Sequence, residues 1–379
     1  MTIEELTTLE NLNDAFYKCS KISNWKESTQ RYKSNLLLNN LKLQNDLRTN
    51  NYKVSPTTDF ILNERGKTRQ INAPSIRDRI VQKILCEKIL VPQLTKYIIY
   101  DNYASIKNRG TTFARKRFNI LLNNFVNQHG TNGYILQIDI KKYFDSINHE
   151  ILKDIIHNKI HESKEIMDLI DYIIDTSSKT DKGLNLGAEA PQIFAIYYLA
   201  QLDNYIKSVK QVKYYGRYMD DMFILSESKQ ELHNILNDIK NQLKTLDLQT
   251  NPKKTHITKL THCFTFLQIK YFIDTNNNNK IIKRPTHAKI TRERRHLKQL
   301  YKKYMNNQIS LEYVNSCYQS WRGSIAKDCN SYNKTIYHMD KLYNTLFLEY
   351  KKQINKSRNE LISNIFNNNF DSFLDYVCR

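Results

Sequence analysis

The stretch "YYGRYMDDMFILSES" (residues 214–228) sets Asp220 and Asp221 side by side between an aromatic run and a short apolar one. Adjacent carboxylates repel each other, and an apolar strand is a costly place to carry them. One reading is a hairpin tip, since Asp is common in turns. The other requires a third carboxylate and a counter-charge. Upstream, "GYILQIDI" (133–140) is apolar and β-branched, and reads as a buried strand that ends by delivering Asp139. Three carboxylates converging at strand ends are tolerable only with cations among them. Hard oxygen donors suit magnesium, with manganese as the alternative. Two such ions, about 4 Å apart, would clamp the attacking and leaving oxygens of an in-line phosphoryl displacement.

Composition supports a polyanionic substrate. The 379 residues carry a formal charge of +20, and an excess of that size on a folded chain implies a nucleic acid before a membrane. With 40% apolar residues the chain is globular, and its length allows two or three compact units. Only 8 glycines and 6 prolines leave little linker, so long helices are expected. The six cysteines show no CxxC spacing, which argues against a zinc site or disulfide scaffold and fits a reducing cytoplasm. The acidic N-terminus "MTIEELTTLENLNDAF" is no signal peptide, and no run approaches the roughly 20 apolar residues that span a bilayer.

Residues 1–50 read as helical. Residues 52–73 read as two extended segments joined at Arg65-Gly66, and Pro74 opens a helix with Ile80, Ile84, Leu85 and Ile89 on one face. "HEILKDIIHNKI" and "APQIFAIYYLAQLDNYIKSV" read as helices and "KYYGRYMDDMFIL" as a hairpin. "SKQELHNILNDIKNQLKTL" is amphipathic, with Leu232, Ile235, Leu236, Ile239 and Leu243 on one face. "THCFTFLQIKYFID" reads as a strand pair turning at "TNNNNK", and from about residue 285 the chain turns basic and helical. The order implies an α+β core followed by a helical module.

With these elements in place, "YMDD" after a "DIKKYFDSI" strand resembles the palm of a reverse transcriptase of the bacterial type. Further motifs follow in the family's order. "NERGKTRQINAPSIRDRIVQ" is similar to the fingers segment, "YDNYASIKNRGTTFA" to the next conserved block, "LQTNPKKTHI" to the end of the palm helix, and "FTFLQIKYF" to the primer grip. The resemblance covers roughly residues 50–325. It implies a right-hand polymerase fold: an N-terminal helical extension (1–50), fingers (51–132), a palm with an antiparallel sheet (133–284, with a fingers-type insertion near 155–182), and a helical thumb with C-terminal helices (285–379).

Carried over by position, the resemblance makes Asp139, Asp220 and Asp221 the metal ligands, with Ile140 beside them, and Asp220 a firmer ligand than Asp221. Lys254 is placed to give a proton to leaving pyrophosphate, although Lys253 adjoins it. Phe144 matches the steric gate that excludes a ribose 2′-hydroxyl; simple core packing is its other reading. Lys67, Arg69 and Arg77 match the positions that neutralise the incoming triphosphate. Counting from "GLNLGAEAPQIF" places Leu186 and Gly187 in the nucleotide-binding loop, where intron and retroviral enzymes carry glutamine at the Leu186 position; Gln192 lies one turn on. Arg292, Arg294, Arg295 and Lys298, in "TRERRHLKQLYKKYMNNQ", would track phosphates where a thumb belongs. A solvated basic face is the plainer alternative.

The implied partners are an RNA template, which a dedicated non-coding RNA could supply, a DNA product and deoxynucleoside triphosphates. A partner protein or second copy stays open, and no membrane partner is expected. About 55 residues follow the thumb motif, too few for an RNase H or integrase domain. With the aliphatic Leu186, this favours the defence-associated group, hence an antiphage role, over diversity-generating retroelement or stand-alone intron-like enzymes. Two other readings stand beside it: an RNA-copying RNA polymerase, which Phe144 opposes, and a catalytically quiet RNA-binding scaffold, which the intact carboxylate set opposes.

Overall fold

The structure, a computed structural model, describes residues 1–64 and 67–349. It divides into two compact units after Lys259. The compositional break near residue 285 therefore falls inside the second unit. The joint expected at Arg65-Gly66 lies outside the described residues, as do Cys378 and the rest of the expected C-terminal span beyond residue 349.

The first unit opens with helices Ile3–Leu6, Leu9–Ser20, Glu27–Ser34 and Leu36–Arg48. Thr2 and Glu5 form a reciprocal capping box at the first of them. Strands β1 (Thr58–Glu64) and β2 (Lys67–Ala73) pair antiparallel along their whole length. The next helix spans Ile76–Leu85 and not Pro74 onward, because Ser75 caps it: its hydroxyl accepts the Asp78 N–H at 3.2 Å.

The main sheet holds β3 (Tyr134–Ile138), β4 (Tyr215–Tyr218), β5 (Asp221–Ser226) and β6 (His256–Lys259), all antiparallel, in the order β4-β5-β3-β6. Both faces are covered, which is why β3 buries the consecutive residues Ile135 and Leu136 as well as Ile138 instead of alternating strictly. Leu136, Ile138, Met222 and Ile224 belong to the main core on one face. On the other, Phe223 meets Phe118 of the helix Thr111–His129 edge-on, with centroids 4.6 Å apart. Gly216 of β4 is required by close packing. A Cβ there would meet the Tyr103 hydroxyl and sit 2.7 Å from the Phe223 ring.

The helix expected over residues 190–209 is broken. It runs Glu189–Tyr198, resumes as Ala200–Asn204 and ends in a π-helical turn, Tyr205–Val209. The cause is competition for acceptors. A continuing helix would send the N–H groups of residues 199 and 200 to the carbonyls of Ala195 and Ile196. The Tyr143 hydroxyl donates to the Ala195 carbonyl and the Arg217 guanidinium to that of Ile196, at 2.9 Å. Leu199 N–H turns to Tyr197 O instead. Because nearly every residue of Glu189–Tyr198 is buried, apolar periodicity carries no trace of the break.

The second unit holds β7 (Phe264–Phe266), β8 (Ile269–Asp274) and β9 (Lys280–Pro285) in the order β7-β8-β9. The single strand pair read from "THCFTFLQIKYFID" is thus corrected to three strands. The additional turn, inside the "FTFLQIKYF" hairpin that the resemblance implies, is Leu267-Gln268, with φ of +44° and +67°, and neither is a usual turn residue. Helices His287–Met305, Leu311–Ser324 and Tyr332–Asn344 follow, with their own core of Leu297, Leu300, Val314, Tyr318, Met339, Tyr343 and Phe347. Among the described residues no helix is long and apolar enough to cross a membrane.

Candidate active site

Strand register brings the carboxylates together. β3 pairs with β5 so that Ile138 opposes Met222, and one further step places Asp139 beside Asp221. β4 and β5 close at Tyr218↔Asp221, leaving Met219-Asp220 as a two-residue turn. All three aspartates therefore lie at one end of the main sheet. Asp139 is only 4% exposed, and Asp221 is exposed.

The loop after the helix Lys229–Thr245 wraps Asp139. Ile140 is buried and bridges Thr250; Lys141 N–H donates to Gln249 O at 2.9 Å and Asn251 N–H to Asp139 O at 2.7 Å. That fixes the loop so that both carboxylate oxygens are met. Asn251 Nδ2 donates to Asp139 Oδ1 at 2.9 Å, and Lys254 Nζ pairs with Oδ2. Burial opposes the charge on Lys254. The hydrogen bond to Asp139 and the fields of Asp139, Asp221 and Asp220 outweigh it, and its pKa is raised. Of the two adjacent lysines, Lys254 is the one that faces the carboxylates. Asn251 was not singled out in the sequence, although the N-x-x-K spacing of "TNPKKT" is its signal.

Among the described residues no three His, Cys, Asp or Glu side chains form a ready-made metal cage. The donor set nonetheless fits a hard cation: an ammonium group, that of Lys254, already pairs with Asp139 and is favoured by the charges of Asp220 and Asp221. Asp139, Asp220 and Asp221, with the adjoining Ile140 carbonyl, are the groups that would hold magnesium.

Beneath the turn lies a charge pair that sequence reading missed. Arg217 and Asp203 are both fully buried. The guanidinium donates to Asp203 Oδ1 from Nε at 2.8 Å and to Oδ2 from Nη2 at 2.6 Å; Tyr215 Oη donates to Oδ1 at 2.6 Å. Burial opposes the charge on Arg217, and the adjacent carboxylate more than compensates, so its pKa stands above the ordinary value. The signal was an arginine inside the apolar strand "YYGRYM".

On the nucleotide side, the Leu186–Gly187 loop is held against β2. Asn72 N–H donates to Leu186 O at 3.2 Å. Gly187 has φ +118°, and a Cβ there would stand 3.2 Å from Ile71 Cγ2. The strand bearing Arg69 thus lies along the loop sequence reading placed at the nucleotide; the Lys67 side chain lies outside the described residues. Phe144 is half-buried on the short helix Tyr143–Ser146, packed partly against the core. Its carbonyl accepts Leu184 N–H at 2.9 Å, tying the start of that same loop. Arg77 is engaged by the fold: it pairs with Asp46 at 2.8 Å, donates to Lys53 O and lies 4.8 Å over the Tyr52 ring. Gln192 accepts from the Ser105 hydroxyl at 3.2 Å and lines a cavity of about 780 Å³ with Lys83, Lys88 and Lys107.

In the second unit, Arg292, Arg294, Arg295 and Lys298 lie on the exposed side of the helix His287–Met305, whose buried side carries Glu293, Leu297 and Leu300.

A family model described as "Reverse transcriptase (RNA-dependent DNA polymerase)" matches residues 56–271. Among solved structures the chain is similar to apo telomerase from Candida tropicalis truncated from its C-terminal domain, at 15% identity and a TM-score of 0.46, over 61% of this chain and 56% of that one. It is also similar to telomerase from Candida albicans in complex with a TWJ fragment of telomeric RNA, at 13% identity and a TM-score of 0.45, over 78% and 59%. The chain spans little more than half the length of these structures. No curated protein matches it.

Proposed function

The chain belongs to the reverse transcriptase (RNA-dependent DNA polymerase) family, and from that premise we propose that it synthesises DNA on an RNA template from deoxynucleoside triphosphates. The observation that carries the reading is the convergence of Asp139, Asp220 and Asp221 at one end of the main sheet. Asp139, Asp220 and Asp221 would hold magnesium, which would supply positive charge where a primer hydroxyl loses its proton and where charge develops on pyrophosphate, the chemistry of two-ion nucleotidyl transfer.

The chain's own residues do the rest. Asn251 orients the Asp139 carboxylate, and Lys254, held protonated, is placed to give a proton to the leaving group. The Leu186–Gly187 loop and β2 with Arg69 hold the nucleotide, Phe144 crowds a ribose 2′-hydroxyl, and the basic helix His287–Met305 tracks phosphates. Leu186, where a glutamine contact is lost, supports placement among defence-associated enzymes of bacteria, hence antiphage action.

The test is magnesium-dependent incorporation of dTTP on poly(rA)–oligo(dT). The double variant Asp220→Ala, Asp221→Ala is expected to abolish incorporation while retaining RNA affinity. Incorporation that persists in this variant would refute the reading. A wild-type chain that binds RNA but never incorporates would favour the scaffold.

A further inference from the structure

Arg217 does more than neutralise Asp203. Its Nη1 donates to the Met219 carbonyl at 3.0 Å, inside the turn that carries the aspartate pair. Nη2 also reaches the Ile196 carbonyl at 2.9 Å, at the end of the helix Glu189–Tyr198. One planar guanidinium therefore spans three elements: the helix Glu189–Tyr198, the short helix Ala200–Asn204 that bears Asp203, and the turn itself. Its backbone is pinned as well. Arg217 N–H donates to Asp101 O at 2.9 Å, and its own carbonyl accepts Tyr103 N–H at 3.0 Å.

The turn needs such a hold. Met219 has φ +54°, a conformation that non-glycine residues adopt at a cost and keep only where their surroundings impose it. The ladder between β4 and β5 ends at Tyr218↔Asp221, so strand pairing fixes neither central residue. From beneath, Arg217 supplies the fixed donor to that peptide. The guanidinium in turn is oriented by Asp203, whose carboxylate is shared with Tyr215 and, at 3.3 Å, with Asn102 Nδ2.

We propose that Arg217 is a positioning residue of the polymerase reaction: held by Asp203, it sets the Met219 carbonyl and through it the carboxylates of Asp220 and Asp221. The inference rests on the polymerase reading above. A buried ion pair serving the fold alone can be replaced by a neutral pair with little loss, whereas a pair that aims the turn cannot.

The experiment compares Arg217→Met, the neutral pair Arg217→Met/Asp203→Asn, and Arg217→Lys, which keeps the charge but not the planar fork. Tm, kcat and KM for dTTP on poly(rA)–oligo(dT), and hydrogen exchange of the peptide spanning residues 214–224, are measured in each. Arg217→Met is expected to lose Tm, and the neutral pair to regain most of it. In the neutral pair kcat stays down by roughly a hundredfold, the order that a small misplacement of reacting groups costs, with KM within about threefold. Exchange of the 214–224 peptide quickens. Recovery of kcat together with Tm, or unchanged exchange, would overturn the proposal. If neither Met variant folds, Arg217→Lys decides: kcat must fall while Tm holds. If the wild type incorporates nothing, the polymerase reading fails, and the exchange data still judge whether Arg217 holds the turn.

Discussion

Phe144 carries two competing readings, a steric gate and core packing. It is half-buried against the core, and its backbone ties down the segment that leads into Leu186. Core packing and a steric gate predict different things when the ring is removed. As a gate, Phe144→Ala should raise ribonucleotide use relative to deoxynucleotide use by on the order of tenfold, read as the ratio of kcat/KM values. As packing alone, it should lower Tm and leave that ratio unchanged. Lys254 is the contrasting case, because in the sequence the adjoining Lys253 competes with it for the same role. Two consecutive residues of a loop face different ways, and only the pairing of residues 249–251 with 139–141 decides which one meets Asp139.

At the scale of elements, the strands delivering the carboxylates were legible. β-branched apolar runs bounded by turn residues read as strands whatever the tertiary context. The turn at Leu267-Gln268 lacks turn residues, so only the resemblance of "FTFLQIKYF" to a hairpin implied it; the break at Leu199 was not legible, since it arises from hydroxyl and guanidinium donors on other elements. The basic helix His287–Met305 adds a case of charge in the wrong place. Glu293 is buried there, and its Oε1 has no hydrogen-bond partner among the described residues. Burial raises its pKa, with the charge of His296 pulling the other way. For an acid whose pKa is raised by folding, the stabilising proton is present at low pH and lost as pH rises through the folded value. Glu293→Gln should therefore raise Tm at neutral pH. The advantage over wild type should close below about pH 4, where the acid is protonated in both states. Equal Tm at neutral pH would show that Glu293 is better solvated than its burial implies.

For the molecule as a whole, the proposed function makes charge the term to test. On that reading a formal +20, with Arg292, Arg294, Arg295 and Lys298 exposed on one helix, would make phosphate contact the main attractive term. Affinity for a duplex of RNA and DNA should fall by at least about a hundredfold between 50 and 200 mM salt, measured by fluorescence anisotropy. Neutralising those four residues together should flatten the slope of log affinity against log salt by a few units. An unchanged slope would move the phosphate contacts elsewhere.

The amino-acid order alone determined the two strands, the hairpin and the three aspartates, because strand propensity and turn chemistry are local properties. It also determined the basic charge, which is a sum over residues. Only tertiary structure decided that Asn251 and Lys254 close on Asp139, that Arg217 and Asp203 lie sealed under the turn, and that Arg77 belongs to the fold. Such contacts join residues 14 to 115 positions apart, or hold a lone buried charge in place. Their energies exist only once the chain has excluded water around them.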